Sequence, residues 1–195
     1  MAEWRKKWEV LHHYNSLATV YDVQYSEEQS AKMKAALSSI SLIEDSLVLD
    51  VGCGTGILFE HLSNRVKLLV GLDTSSRILG EAKRRAKRFS NVAILRADAD
   101  SIPFPNETFD MVFAITVLQN TPNPLLTLQE MKRVSKHRSV IAVTGLKKEF
   151  TQESFMKLLS KAKLEISVMK TNDQLKGYVA ICKKLSAFRK KGAKN

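Results

Sequence analysis

The amino-acid sequence predicts an α/β fold: a seven-stranded, mostly parallel sheet with helices on both faces and an antiparallel hairpin at its C-terminal end. Three observations carry that expectation. From Ser46 onward, short apolar runs alternate with amphipathic segments, the rhythm of crossover connections in a parallel sheet. The first apolar run, Val48-Leu-Asp-Val51, passes directly into Gly52-Cys-Gly-Thr-Gly56 and then into the apolar-patterned Ile57–Leu62, a strand, a tight loop and a helix start. The last two extended runs, 164–170 and 177–184, are joined only by Thr171-Asn-Asp-Gln-Leu-Lys176. So short a link makes a hairpin, not a crossover.

Taken in order, residues 3–13 pattern as a helix with Trp4, Trp8, Val10 and Leu11 toward one face. Tyr14, Tyr21 and Tyr25 follow, either as core packing or as a flap over a ligand. Ser26 is placed to cap a second helix whose first turn holds Glu27 and Glu28 and whose apolar stripe is Met33, Leu37 and Ile40. Strands are expected at 46–52, 67–73, 91–98, 109–116 and 139–145, and helices at 57–64, 75–89, 124–135 and 151–162. Thr151 can cap the last helix. Residues 1–45 thus form N-terminal helices and a flap over a core at 46–185, with 186–195 a basic, flexible tail, all one domain. At 195 residues and 44% apolar, the chain can bury a full core.

Composition excludes several classes. There is no run of 18 apolar residues and no signal peptide, which argues against a membrane protein and for the cytoplasm. Cys53 and Cys182 make no disulfide framework, and the four histidines lack metal-site spacing. Charge is uneven. Residues 1–100 hold 14 Lys and Arg against 13 Asp and Glu, whereas residues 101–195 hold 17 against 7. Cations gathered in one half of a domain suggest a polyanionic partner such as RNA, the alternative being solubility alone.

The glycine loop narrows the ligand. A dinucleotide fingerprint places its third glycine three residues after the second, but here it comes one residue early, at Gly56, and Ile57 fills the slot. Asp50, an acid inside an apolar strand, would repel a pyrophosphate and attract the ammonium of a methionine-type ligand. This favours S-adenosylmethionine (SAM) over a nicotinamide dinucleotide. The strand ends then supply the rest of a site. Asp73, ending the second strand, can take both ribose hydroxyls with its two oxygens, and Thr74 and Ser75 follow as helix caps. Asp98 can accept from the adenine amino group while small Ala99 leaves room for the ring. Thr116 and the following Val117-Leu-Gln-Asn-Thr-Pro122 line the methyl-donor side.

With Tyr14…Tyr21-Asp22, VLDVGCGTG, VGLDTS, ADADSIPFPNETFDMV and TVLQNTPNPLLTLQEMKRV in this order and spacing, residues 14–135 resemble class I SAM-dependent methyltransferases. The branch is the type 11 one that holds ubiquinone- and menaquinone-type C-methylases. The resemblance implies a Rossmann-like fold. It also implies SAM contacts by Asp50, Gly52, Gly54, Gly56, Asp73, Asp98, Ala99 and Thr116, with Tyr14 and Tyr21 closing over the cofactor. Cys53 in the loop and Thr74 beside Asp73 complete the expected cofactor set. Two departures stand out. Asn120 occupies the position of a usual histidine, and the usual proline-glycine-glycine turn before the fifth strand is the basic Lys136-His-Arg-Ser139, expected beside the substrate face.

Methyl transfer to a weakly nucleophilic exocyclic amine needs alignment and neutral hydrogen-bond acceptors. Asn120, Gln119 and Thr116 are the candidate catalytic groups, and Asn120-Thr-Pro122-Asn is a partial echo of the Asn-Pro-Pro-aromatic motif of amino-methylating enzymes. A cysteine-nucleophile mechanism is rejected, because neither cysteine lies near that strand end. The leading expectation is methylation of a base amino group in RNA, ribosomal RNA before transfer RNA, with cytidine N4 as the candidate atom, as in the short archaeal-type enzymes that the chain resembles. A small-molecule acceptor (quinone, lipid or metabolite) and a non-catalytic SAM-binding RNA assembly factor are the alternatives. The chain is expected to be monomeric, with a protein partner left open.

Overall fold

The computed structural model describes residues 2–184, so the basic tail at 186–195 lies outside the described residues. Two helices, α1 (Ala2–Leu17) and α2 (Tyr21–Leu37), precede the alternating core. The core runs β1 (Leu47–Val51), α3 (Ile57–Leu62), β2 (Leu68–Asp73), α4 (Ser76–Ala86), β3 (Val92–Arg96), β4 (Phe109–Ala114), α5 (Pro124–Val134), β5 (Ser135–Leu146), α6 (Gln152–Lys161), β6 (Leu164–Lys170) and β7 (Gly177–Lys184). The seven strands form one sheet in the order β3-β2-β1-β4-β5-β7-β6. The first five are parallel, and β7 runs antiparallel between β5 and β6. The order reverses between β1 and β4, which opens a crevice at the carboxyl ends of those strands.

The central strands are apolar on both sides because both faces are covered. Leu49, Val112 and Val143 point to the layer of α5 and α6, where they meet Leu128, Met131, Phe155 and Leu159. Val48, Leu69, Phe113 and Ile181 point to the layer of α2, α3 and α4, against Met33, Phe59, Leu62 and Ala82. Phe59 is fully buried and lies where any side chain at Gly71 would sit, the Cβ position there being 2.7 Å from Cζ. This glycine is therefore a packing requirement between strand and helix. Among the described residues no helix is long and apolar enough to cross a membrane.

Several expected boundaries move. Helix α1 continues through Tyr14 to Leu17, and α2 starts at Tyr21, so Ser26 is inside the helix and caps nothing. Trp4 and Trp8, expected on one face of this helix, are 79% and 61% exposed, because α1 lies at the edge of the core against α4 and the turn Leu118–Asn120. Asp98 and Thr116 fall beyond the ends of β3 and β4. The basic turn Lys136–Ser139 is absorbed into β5 as a bulge, with Phe109 opposite Ser135 but Met111 opposite Val140. Its position is the correction of most consequence. It lies at the amino end of β4 and β5, the opposite pole of the sheet from the crevice, and so adds no charge at the cavity.

Candidate functional site

A cavity of about 450 Å³ occupies the crevice at the carboxyl ends of β1 to β4. Its floor is the glycine loop. Gly52, Gly54 and Gly56 adopt φ of 65°, 56° and 81°, left-handed values that glycine reaches without steric cost. A Cβ on Gly54 would meet nothing within 4 Å, the mark of a backbone left bare toward a ligand, whereas one on Gly52 would strike Val117 Cγ2 at 2.6 Å. Gly56 does different work from that expected. It starts α3, and a Cβ there would strike the Phe59 ring, so it serves packing and does not reach the cavity wall.

Asp73 fastens the loop before it meets any ligand. Its Oδ2 accepts from the Gly54 N–H at 3.1 Å and its Oδ1 from the Ser75 N–H at 2.9 Å. Each carboxylate oxygen accepts two hydrogen bonds, so capacity for two hydroxyls remains. Burial raises its pKa above the ordinary carboxylate value. Asp50 is more extreme. It is 2% exposed, Oδ2 has no partner among the described residues, and burial and then the Asp73 charge hold its pKa well above the usual range. With Cys53, Gly52 and Tyr21 it lines a small second cavity of about 20 Å³ beside the loop. The Cys53 thiol is pushed up by its burial and serves as apolar packing.

Asp98, Ala99 and Thr74 line the main cavity as expected, but Asp98 is engaged. Lys7 of α1 donates to Asp98 Oδ2 at 2.6 Å and pairs with Asp100 at 2.7 Å, and Asp98 Oδ1 accepts from the Asp100 N–H. Two carboxylates this close require a cation, and Lys7 supplies it. The result seats α1 over the end of β3. Asp98 therefore acts first as an anchor for the helix, and only its remaining lone pairs face a ligand.

The tyrosines arrive through other ties. Asp22 accepts from Thr55 Oγ1 at 2.5 Å and from Arg85 at 2.6 Å, pinning α2 to the glycine loop and α4. Ser75 Oγ donates to Asn15 Oδ1 at 2.6 Å and also caps α4, pinning α1. Tyr14 and Tyr21 then form one cavity wall with ring centroids 5.9 Å apart. Burial pushes the Tyr14 hydroxyl to about 12 and that of Tyr21 higher still, so both remain protonated donors.

Thr116 is the hub of the methyl-donor side. It has φ 64°, a left-handed value that costs a β-branched residue energy and persists only where surroundings impose it. Here Thr144 Oγ1 accepts from its N–H at 2.7 Å, and its carbonyl accepts from Gln119 Nε2 at 2.5 Å and Asn120 Nδ2 at 2.9 Å. Asn120 donates its other amide hydrogen to Tyr14 Oη at 2.8 Å. Both hydrogens of Asn120 are thus used, and its Oδ1, without a partner among the described residues, is an acceptor at the cavity wall. Gln119 is turned away from the cavity and its Oε1 is buried without a partner, so it supports Thr116 without facing an acceptor molecule.

Two residues escaped the sequence reading. Lys7 is one. Lys32, on α2, is fully buried, donates to Glu28 at 2.6 Å and to Thr116 Oγ1 at 3.0 Å, and its pKa is lowered chiefly by that burial. Thr116 Oγ1 in turn donates to Gln29 Oε1 at 2.9 Å. A lysine one helical turn from Glu28 reads as an ordinary surface pair, and the partner that draws Lys32 into the site, Thr116, is 84 residues away.

An acid-and-glycine cradle at the switch point of this sheet order, with a second acid ending β2, defines a protein that holds an adenosyl amino-acid cofactor. The orphaned Asp50 oxygen beside the loop and the bare Gly54 fit SAM, which presents an ammonium and a ribose to them. Comparisons with known proteins agree. Residues 49–143 match the family described as a methyltransferase domain. An uncharacterised protein of Methanocaldococcus jannaschii is 30% identical over 72% of this chain and 53% of its own length. The demethylmenaquinone methyltransferase of Staphylococcus carnosus is 31% identical over 63% of this chain and 54% of its own. The chain thus spans about half the length of these curated relatives. In fold it matches the methyltransferase solved with the Haloferax volcanii Trm112 activator, with TM-score 0.77 at 15% identity over 88% and 97% of the two chains. It also matches a SAM-dependent methyltransferase from Aquifex aeolicus, with TM-score 0.72 at 19% identity over 90% and 98%. Residues 49–143 thus match a methyltransferase domain on a class I fold, and the family and the fold neighbours indicate SAM as its cofactor.

Proposed function

We propose that the protein transfers the SAM methyl group to an exocyclic base amine in RNA, ribosomal RNA first and cytidine N4 as the favoured atom. The observation that carries this reading is Asn120. Its amide hydrogens are committed to Tyr14 and Thr116, so a neutral carbonyl oxygen is what meets the acceptor. Such an oxygen accepts an amine N–H and turns the nitrogen lone pair toward the methyl group without protonating it. When bound, SAM would supply an electrophilic methyl group to the amine. Asp50 holds the ammonium, Asp73 the ribose hydroxyls, and Tyr14 and Tyr21 keep water from the reacting side. The methylated nitrogen loses its extra proton to solvent as the product leaves the site, since the cavity wall offers Asn120 where a histidine base would stand.

The cavity size also supports a large acceptor. At about 450 Å³ it lies toward the lower end of small-molecule sites, about 300–1,000 Å³, and the cofactor takes much of it. A base flipped from an RNA can enter past Trp4 and Trp8, with the rest of the nucleic acid outside. A small-molecule acceptor is the second reading, favoured by the demethylmenaquinone methyltransferases among the relatives. The Haloferax neighbour is described with an activator subunit, and an activator is a reasonable requirement here too.

The test is a methyl-transfer assay with labelled SAM on total RNA, ribosomal subunits and a small-molecule extract, with and without an archaeal Trm112. Digestion of labelled RNA to nucleosides identifies the modified atom. Label on a base amine is the expected result. Label in the extract alone would overturn the RNA reading in favour of the second.

A further inference from the structure

Seven cations of the second half fall at one pole of the fold, Lys132, Lys136, Arg138, Lys161, Lys163, Lys183 and Lys184. β5 and β6 begin, β7 ends, and α5 and α6 both finish at the amino pole of the sheet, remote from the cavity. Lys132 lies in the last turn of α5, Arg138 in the β5 bulge, Lys161 and Lys163 at the α6–β6 junction, and Lys183 near the end of β7. None of these five has a carboxylate partner among the described residues. Two further cations of the same pole are neutralised, Lys136 by Asp110 and Lys184 by Glu107. The crowding is electrostatic as well as geometric. Partial burial, then the charges of Lys163 and Lys184, hold the Lys132 ammonium below its ordinary pKa.

Two of the five are held in backbone that does not suit them. Arg138 and Lys163 have φ of 62° and 57°, where glycine is the relaxed residue and any other side chain stores strain. Arg138 is also in the turn where the resembled family has glycines.

We infer that this amino-pole face, built by the ends of α5, α6 and β7 and the β5 bulge, is the anchoring surface for the phosphate backbone of the RNA substrate. The inference rests on the RNA reading above. Charge complementarity selects the occupant. None of the exposed large apolar side chains lies on these four segments, so the face has the cations for phosphates but nothing to insert into a lipid surface. The six residues of β4 span about 20 Å, so the anchor stands about that far from the methyl-transfer position. A folded RNA reaches both, whereas a free nucleotide cannot.

The experiment compares the full chain with a triple variant, Lys132→Gln, Lys163→Gln and Lys183→Gln. The control is an equally neutralised triple on the other side of the sheet, beside β2 and α4, Lys67→Gln, Lys83→Gln and Lys87→Gln. The probe is a fluorescent mixed-sequence 20-nucleotide RNA, titrated at several salt concentrations. SAM binding reports folding, and label transfer to total ribosomal RNA reports the activity. The amino-pole triple is expected to weaken RNA binding tenfold or more and to flatten the salt slope by about 2, at about 0.7 per single-strand phosphate contact. Its SAM affinity should be unchanged. An amino-pole triple that binds RNA with the Kd and salt slope of the control overturns the inference, while wild-type labelling of RNA keeps the proposed function standing. A wild type that neither binds nor labels RNA removes both.

Discussion

Asp50→Asn probes the cradle where it is least comfortable. The wild-type carboxyl is 2% exposed with an unpartnered Oδ2, and a buried group left without a partner costs about 1–3 kcal/mol. Asparagine keeps the shape and removes the charge, though its amide hydrogens also need partners. A net gain of about 1 kcal/mol is expected in the absence of ligand, which raises Tm by about 2–4 °C in a chain of this size. SAM binding should move the other way. Removing one member of a buried charge pair costs about 2–5 kcal/mol, so Kd rises about 30-fold or more. The pH dependence follows from the raised pKa. Between the unfolded and folded values the folded chain binds more protons, so the Asp50 contribution to stability is greatest at low pH and is lost as pH rises through that window. Asparagine abolishes this slope. Because the ammonium selects the ionised form, wild-type SAM affinity should rise with pH over the same interval and that of the variant should not. Calorimetric titration with SAM and thermal unfolding from about pH 5 to 8 measure all of these. A variant that melts with the wild type and binds SAM equally well would refute the account of Asp50.

Gly54→Ala and Gly52→Ala should separate. The first costs only the left-handed backbone penalty, about 1–2 kcal/mol, but places a methyl in the cavity and weakens SAM binding most; the second adds the clash with Val117 and is the less stable in thermal unfolding. Asn120→Ala should lower kcat about tenfold or more, with little change in SAM Kd by equilibrium titration, since Asn120 faces the acceptor. Lys32→Met should destabilise by about 1–3 kcal/mol in denaturant unfolding, the modest end for a buried charge, because Glu28 keeps Lys176 at 3.0 Å. In a Glu28→Gln background the same change should cost less, and equal costs would refute the pairing.

The order of elements, the parallel core and the closing hairpin were legible because each rests on local pattern: apolar runs of strand length, helical periodicity and a link too short to cross over. The gathering of Gly52, Gly54 and Asp73 at one cavity was legible for the same reason, since these residues are tied to strand ends. Gly56 shows the limit, as its backbone is what the motif demands but its neighbour is the Phe59 ring.

What the sequence by itself determined is therefore the fold, the glycine loop at its crevice and the sign of the charge. Only the tertiary structure decided where those charges and polar groups meet. Lys7 on Asp98 and Asp100, Lys32 on Thr116, and Asp22 on Thr55 and Arg85 join residues many turns apart. The basic turn at 136–139 carries its charge in sequence, but which pole of the sheet it serves depends on strand direction and register. Such long-range electrostatic partners leave no periodicity in the chain, because the distance that matters is set by how helices close over the sheet.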